Sequence, residues 1–429
     1  MENKSIWIDT VIRDEYPVLD KDIETNILII GGGIAGILCA YELKNRGIQC
    51  TLVEKDEIGN GTSKDTTAYI SAQHETLYQD LIKQKGIKQA KQYLDLNLKA
   101  IEKYKELAKK YEFDFKECKS YLYSSESKDI ILKEKEALSS LGYEATLIDT
   151  LPLDINIQLG IAFENQGSIN PLKLINSLAK EINIYEKTMI IKIHKNKAYT
   201  KNGHVIKFNK IVIASHYPII NKMGLYFAKL TQRRSYLIAA NNYSIGDVYT
   251  SIDEDGLYFR SYENKLIIGG YDRDTKSKCS KEIYKNIAKN LKDANIENMW
   301  SGQDCITLDG IPYIGKYDSF HKNYYVITGF NFWGFTWAMV ASIVIADLIE
   351  NKKKYSFLSP QRNFLNKNLF INLLTATKNL ITLKKPRCKH LGCALHYNHL
   401  EGVFECPCHG SRYNKNGKVL DGPSLKNLY

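Results

Sequence analysis

Cys388, Cys393, Cys406 and Cys408 fall within 21 residues, in the two boxes CKHLGC and CPCHGS. His390 stands two residues after the first cysteine and His409 three residues after Cys406, with fifteen residues between His390 and Cys406. Thiolate sulfur and neutral imidazole nitrogen ligate soft and borderline metals, so this cluster points to metal before it points to a disulfide framework. Tetrahedral zinc and a redox dithiol are competing chemistries, although a four-cysteine zinc site ordinarily shows two CxxC-like pairs. His396 and His399, between the boxes, read as surface residues. Cys39, Cys50, Cys118, Cys279 and Cys305 are dispersed and read as ordinary buried thiols.

A second pattern is Gly31-x-Gly33-x-x-Gly36. The apolar run NILII at 26–30 precedes it and suits a buried parallel strand; apolar residues at helical spacing follow from Ile37 to Arg46, with Gly47 placed to stop the helix. The first glycine permits the tight turn, the second lets backbone approach a pyrophosphate, and the third lets helix and strand pack closely. Glu54 ends the next strand, IQCTLV at 48–53, where an acidic side chain can hold ribose hydroxyls. In this register the motif reads as a dinucleotide site on a βαβ unit, without distinguishing FAD from NAD.

The elements that must position these groups follow from periodicity. Residues 76–112 are charged and periodic, as one or two surface-packed helices would be. Asn170-Pro171 reads as an N-cap and first helical residue. Strands are expected at 188–193 and 210–214, and residues 245–271 alternate about a turn at Glu263-Asn264, which predicts an antiparallel sheet. Residues 351–387 have helical periodicity and connect to a short, loop-like tail. The apolar stretch Trp333 to Ile349 is shorter than the ~20 residues of a membrane span and contains Asp347, so a buried helix is expected. At 429 residues and 44% hydrophobic the chain can bury two or three cores. Its 59 Lys and Arg against 48 Asp and Glu leave +11, but without an aromatic-interleaved basic stripe, so a solvated surface is expected and no nucleic-acid partner. The first 22 residues carry charges throughout and no apolar core, so no signal peptide and a cytoplasmic location are expected.

Residues 59–75, GNGTSKDTTAYISAQHE, resemble the segment after the second strand in the D-amino-acid-oxidase-type FAD family, especially its amine-oxidising members. Residues 300–349, WSGQDCITLDGIPYIG and then YYVITGFNFWGFTWAMVASIVIADLI, resemble that family's C-terminal flavin segment. The opening SIWIDT…EYPVL and the stretch IVIASHYP are similar as well. The resemblance spans about residues 5–350 and implies FAD. Its contacts are expected at Gly31, Gly33, Ala35, Gly36, Glu54, Lys55, Thr62, Thr66, Thr67, Ala68, Gly329, Gly334 and Thr336. Asp65 stands where some relatives carry a histidine bonded to the flavin, which implies non-covalent FAD; Ser215-His216 stands where many have Thr-Gly. The resemblance also implies hydride removal from a carbon bearing nitrogen, the protein chiefly positioning the substrate and excluding water. Candidate substrate contacts are Gln73, His74, Arg234, Tyr258, Arg260 and Tyr271. Of these, His74 and Arg260 are the expected catalytic pair, His74 for its place beside the flavin segment and Arg260 for its ability to fork a substrate carboxylate.

The two cysteine boxes resemble the Rieske signature. The resemblance implies a [2Fe–2S] cluster held by Cys388, His390, Cys406 and His409, two thiolates on one iron and two imidazoles on the other. Exchanging thiolates for imidazoles removes negative charge and raises the potential to roughly −150 to +300 mV. It further implies a disulfide between Cys393 and Cys408, hydroxyls of Ser411 and Tyr413 toward cluster sulfur, and Gly422-Pro423 in a covering loop. Lys389 replaces the usual Thr, and the preceding residues look helical where strands are usual. The expectation is therefore a minimal module that leans on the flavin domain for its core.

The expected fold is α/β: a Rossmann-like FAD-binding domain (24–88, 150–218 and 300–350) interleaved with an α+β substrate domain containing an antiparallel sheet (89–149 and 219–299). A helical linker (351–387) and a small β/loop Rieske-type module (388–429) follow. The expected function is an FAD-dependent oxidoreductase taking hydride from a small amine or amino-acid-like substrate and passing electrons singly through the cluster to an acceptor. The tail from Lys384 carries eight Lys and Arg against three Asp and Glu, which suggests an acidic redox partner. The alternatives are a reductase with the cluster as electron entry and a redox sensor without turnover.

Overall fold

The computed structural model describes residues 4–151, 155–275, 282–289, 295–363, 365, 367–383 and 386–429. Cys279 lies outside them. Three sheets organise the chain.

The first sheet is built on the strand Ile23–Ile30, whose second half is wholly buried. It lies parallel between Cys50–Val53 (Ile30 opposite Val53) and Val205–Ile213 (Ile30 opposite Ile213). Tyr324–Thr328 extends the parallel set beyond Val205–Ile213, and Tyr313–Lys316 closes that edge antiparallel. The helix Ile34–Asn45 packs against Gly334–Ile349. The latter is buried along nearly its whole length, as expected for an apolar helix too short to span a bilayer. No described helix is long and apolar enough to cross a membrane.

The second sheet has nine strands and a mostly antiparallel core. Leu230–Asn241 pairs with Ile296–Thr307 on one side and Lys265–Asp274 on the other. Leu257–Tyr262 follows, joined to Lys265–Asp274 by the expected turn at Glu263-Asn264, with Tyr262 opposite Lys265 and Glu263 at φ 51°. The strand Leu159–Ser168 falls inside the segment 150–218 expected for the FAD domain, yet it pairs with Lys116–Ser124 in this second sheet. An apolar strand reads alike in either sheet; its partner is decided by tertiary packing.

The third sheet is a four-stranded antiparallel meander of His396–Asn398, Val403–Glu405, Arg412–Asn414 and Val419–Asp421. Its small core consists of Cys388, Cys393, Leu395, Cys406, Cys408, Tyr413 and Leu428. The helix Lys367–Ile381 leads into it.

Candidate functional site: two adjoining cofactor sites

The glycine motif is shaped by contact distances. A Cβ at Gly36 would fall 1.9 Å from the Gly31 carbonyl oxygen, so helix and turn could not close with any larger residue. Gly31 adopts φ +114°, and its Cβ would meet the Ala214 carbonyl oxygen at 2.4 Å. The turn opens into a cavity of about 260 Å³. Gly31, Gly33, Ala35, Glu54, Lys55, Thr62, Thr66, Thr67, Ala68, Gly329 and Gly334 all line it. Gly36 and Thr336 do not. Gly36 packs beneath the turn, and the Thr336 hydroxyl donates to Ser71 O and accepts from Ser71 N, both at 3.0 Å. Glu54 accepts from the backbone N–H of Gly32 at 2.7 Å and of Asp56 at 3.0 Å. Burial raises its carboxyl above the ordinary range against those two hydrogen bonds. Among the described residues the Thr66 hydroxyl and His216 Nε2 are buried polar atoms without a partner, both from residues on the cavity wall. Such orphans fit a polar ligand in the cavity.

A smaller recess of about 80 Å³ shares Thr66, Thr67, Tyr69, Gln303, Asp304 and Trp333 with that wall. Four acidic residues, Glu75, Asp272, Asp304 and Asp65, line it beside Thr250 and Tyr258; of these the Asp65 carboxylate is paired with Lys64 at 3.0 Å, and that of Asp304 accepts from the backbone N–H of Cys305 at 2.7 Å and of Phe332 at 2.6 Å. Burial pushes the Asp65 carboxyl up to about 6, and it raises Glu75, Asp272 and Asp304 as well. Asp272 Oδ1 is buried without a partner among the described residues. Asp65 and Glu75 share one segment, but Asp272 and Asp304 lie far down the chain, and no local pattern joins the four.

The expected catalytic pair lies elsewhere. His74 is buried, lines neither space, and has both ring nitrogens engaged: Nε2 donates to Ser71 O at 2.8 Å and Nδ1 accepts from Tyr93 OH at 2.6 Å. Its ring stacks on Trp333 at 4.4 Å, and burial lowers its pKa to about 3, leaving a neutral packing group. Arg260 donates to the carbonyls of Thr67, Ala68 and Ile169, the last at 2.9 Å, so it braces the cavity wall from behind. Gln73 accepts from Ser120 Oγ, and Tyr271 lies outside both spaces under the Arg273 guanidinium. Of the six candidate substrate contacts, Tyr258 alone lines the recess.

At the C-terminal tail the structure brings Cys388, His390, Cys406 and His409 together. The two imidazole rings are 5.0 Å apart, and the Cys388 thiol stands within hydrogen-bonding reach of Cys406. His390 Nε2 donates to Asn221 Oδ1 at 2.7 Å and His409 Nε2 to Phe227 O at 2.8 Å. Both acceptors are oxygens without a proton to give, so each Nε2 carries the hydrogen and each Nδ1 carries the lone pair. Both Nδ1 atoms are buried without a partner among the described residues. Two unsatisfied imidazole lone pairs beside buried thiols are the donor set of a mixed Cys/His iron–sulfur cluster, and the residues present fit that group. Tyr413 OH stands 3.3 Å from Cys388 Sγ. Ser411 Oγ accepts from Ser424 N at 3.1 Å, which ties the covering loop to the cluster strand. Cys393 and Cys408, expected as a disulfide, are both free thiols here. Their sulfurs and that of Cys406 lie within 4.8 Å of one another, so proximity alone does not single out that pair. His396, expected at the surface, pairs with Glu405 at 3.2 Å.

Family models place both sites in known groups: that of the FAD-dependent oxidoreductases (DAO) matches residues 26–348, and that of the Rieske [2Fe–2S] domain matches residues 360–429. The chain belongs to the FAD-dependent oxidoreductase family and carries a Rieske domain. Its cofactors are FAD and a [2Fe–2S] cluster. The putative Rieske 2Fe-2S iron-sulfur protein YhfW of Bacillus subtilis (strain 168) is 30% identical over 99% of this chain and 97% of its own. Among solved structures, L-proline dehydrogenase from P. horikoshii superimposes with a TM-score of 0.69 at 22% identity, over 80% of this chain and 98% of its own. Glycine oxidase from Geobacillus kaustophilus gives 0.67 at 18% identity, over 79% and 99%. These two show the fold alone.

The Rieske module is docked on the second sheet by groups that no motif marks. Arg234, expected as a substrate contact, instead binds Glu401 at 2.7 Å and Glu405. Gln232 donates to His409 O at 2.8 Å and Gln303 to Gly410 O at 3.0 Å. The module's own segment Leu420 to Leu425 forms part of the wall of the flavin-family cavity. Tyr217 lines the same cavity, and its ring lies 6.3 Å from those of both His390 and His409.

Proposed function

We propose that this FAD-dependent oxidoreductase is a cytoplasmic dehydrogenase of amine or amino-acid-like C–N bonds whose electrons leave singly through the Rieske cluster. The observation that carries the reading is the shared wall: Tyr217 borders both the flavin cavity and the two cluster histidines, and Leu420 to Leu425 line the same cavity while Ser424 N–H donates to Ser411 Oγ beside the second cysteine box. When bound, FAD accepts two electrons as hydride and the cluster accepts one at a time. The chain's residues do the rest. The cavity-lining residues of the glycine turn, Glu54, Lys55, Thr62, Thr66, Thr67 and Ala68, with Gly329 and Gly334, hold FAD without a covalent bond; Cys388, His390, Cys406 and His409 hold the cluster, and Cys393–Cys408 closes its two loops when oxidised. The discontinuous domain division read from sequence is proposed with them, except that Leu159–Ser168 and Ile296–Thr307 go with the second sheet.

The recess positions the substrate. Its carboxylates favour a cationic nitrogen, and an arriving ammonium lowers the cost of ionising them. The tyrosine and tryptophan surfaces exclude water from the C–H bond to be broken. The solved relatives named above are a dehydrogenase of L-proline and an oxidase of glycine. An anaerobic stopped-flow experiment with a panel of amines and amino acids tests the proposal. Flavin bleaching followed by appearance of the reduced-cluster EPR signal, without mediator, is expected. A cluster that stays oxidised beside a fully reduced flavin defeats the relay; no bleaching with any C–N substrate defeats the substrate class.

A further inference from the structure

The helix Lys367–Ile381 is docked the wrong way round for a globular protein. Its protein-facing side is polar or small: Asn368 donates to Leu308 O at 3.0 Å, Asn372 to Ala228 O at 3.4 Å, and the Asn379 carbonyl accepts from Ala394 N at 3.0 Å. Leu369 is its one buried residue, packed with Ala228 and Leu308. The opposite side carries Phe370, Leu373, Leu374, Leu380 and Ile381. Phe370, Leu374 and Ile381 are 62%, 71% and 73% exposed, and Leu383 just beyond is 92% exposed. At about 100° per residue these side chains form one stripe, with Lys367 and Lys378 along its edge. A contiguous apolar stripe turned to solvent on an otherwise ordinary surface marks an interaction site.

Charge identifies the occupant. Residues 351–400 hold ten of the chain's 59 Lys and Arg and none of its 48 Asp and Glu, so this stretch carries +10 of the +11 net charge. Arg362 is spent internally on Asp309 at 2.6 Å and Lys352 pairs with Glu350 at 2.9 Å, but Lys353, Lys354, Lys367, Lys378 and Lys389 are exposed. A second copy of the chain would bring like charge against like. Nucleic acid would satisfy the lysines and leave the leucines in water. A bilayer with anionic headgroups satisfies both, because apolar side chains enter the acyl boundary while flanking lysines reach the headgroups. We propose that the stripe Phe370-Leu373-Leu374-Leu380-Ile381 with its flanking lysines is a monotopic docking surface for an anionic phospholipid membrane. The proposal is independent of the substrate reading.

Co-sedimentation of the full-length holoprotein with phosphatidylglycerol/phosphatidylcholine vesicles tests it, with pure phosphatidylcholine vesicles in parallel. The wild type is expected to sediment with the anionic vesicles and to bind neutral ones at least ten-fold more weakly. The variant Phe370→Gln/Leu374→Gln/Ile381→Gln is expected to lose vesicle binding at least ten-fold while keeping its flavin and iron content, which shows it folded. Lys367→Glu/Lys378→Glu is expected to weaken anionic-vesicle binding and leave the same contents intact. A wild type that stays in the supernatant overturns the proposal, as does binding untouched by the triple substitution. Self-association of the lipid-free wild type that the triple substitution abolishes would assign the stripe to a second copy instead. A wild type that stays off the anionic vesicles yet forms a stable complex with an acidic protein through the stripe would assign it to that protein; either result overturns membrane docking.

Discussion

Replacing Arg234 by Met removes, among the described residues, the one cation that reaches from the second sheet into two acidic residues of the Rieske module. The Arg234 and Glu405 side chains are 2% and 4% exposed, so solvent does little to screen them. Burial raises the Glu405 carboxyl, but Arg234, then the His396 hydrogen bond and Arg412, hold it at about 2 against an ordinary 4.5. At about 1.4 kcal/mol per decade that difference stores roughly 3 kcal/mol in the docked state. Breaking a buried pair by deleting one partner costs about 3–5 kcal/mol. Arg412 still faces Glu401 at 3.0 Å and Glu405 at 3.7 Å in the variant, so the lower end of about 3 kcal/mol is expected, or roughly 150-fold in the docking equilibrium. The pH dependence has a definite sign. In the wild type the Glu405 contribution is fully present above its unfolded value of 4.5 and is lost as pH falls through about 2. In Arg234→Met the carboxylate is buried with less compensation, its pKa rises, and acid relieves part of the defect. The gap between the two proteins is therefore widest near about pH 7 and narrows below about pH 5. Urea denaturation followed by the cluster's visible circular dichroism measures it. A double-mutant cycle with Glu405→Gln should return a coupling of at least about 1.5 kcal/mol. A gap below about 0.5 kcal/mol, one independent of pH, or an absent coupling refutes the reasoning.

Gly36→Ala should purify without FAD, since its Cβ would lie 1.9 Å from a backbone oxygen; normal flavin content would show that the turn relaxes freely. Arg260→Met should lower the thermal midpoint by an amount equivalent to about 3 kcal/mol, because three carbonyls lose a charged donor, while the KM of the flavin-loaded fraction stays put. A raised KM with an unchanged midpoint would restore Arg260 as a substrate ligand. Asn221→Leu removes the acceptor that orients His390, so cluster affinity should fall roughly 10-fold or more, read as iron and acid-labile sulfide per chain. Undiminished cluster content would make that hydrogen bond incidental.

What could be read without coordinates was local. The spacing of Gly31, Gly33 and Gly36 is a steric statement about one turn, and its flanking strand and helix lie within the same short stretch. The pairing of two thiols with two imidazoles is a statement about donor chemistry, complete within 22 residues. Both carry their physics in adjacent residues, so both were legible in a short window of sequence. His74 and Arg260 misled because a histidine or arginine beside a cofactor segment looks the same whether its nitrogens meet substrate or backbone. Only packing settled it, by giving His74 to Ser71 and Tyr93 and Arg260 to three carbonyls. The acidic recess is likewise assembled from Asp65, Glu75, Asp272 and Asp304, which belong to different strands and loops.

Sequence by itself thus determined which two redox groups the chain can hold, because each needs residue types at fixed short spacing. Tertiary structure decided that the two sites share a wall. Leu420 to Leu425 reach the flavin cavity only because Arg234, Gln232 and Gln303 seat the module there, and Asn221 and the Phe227 carbonyl take the histidine protons across the same interface. Those contacts join residues some 100 to 190 positions apart, and each depends on desolvating a polar partner that no window of sequence contains.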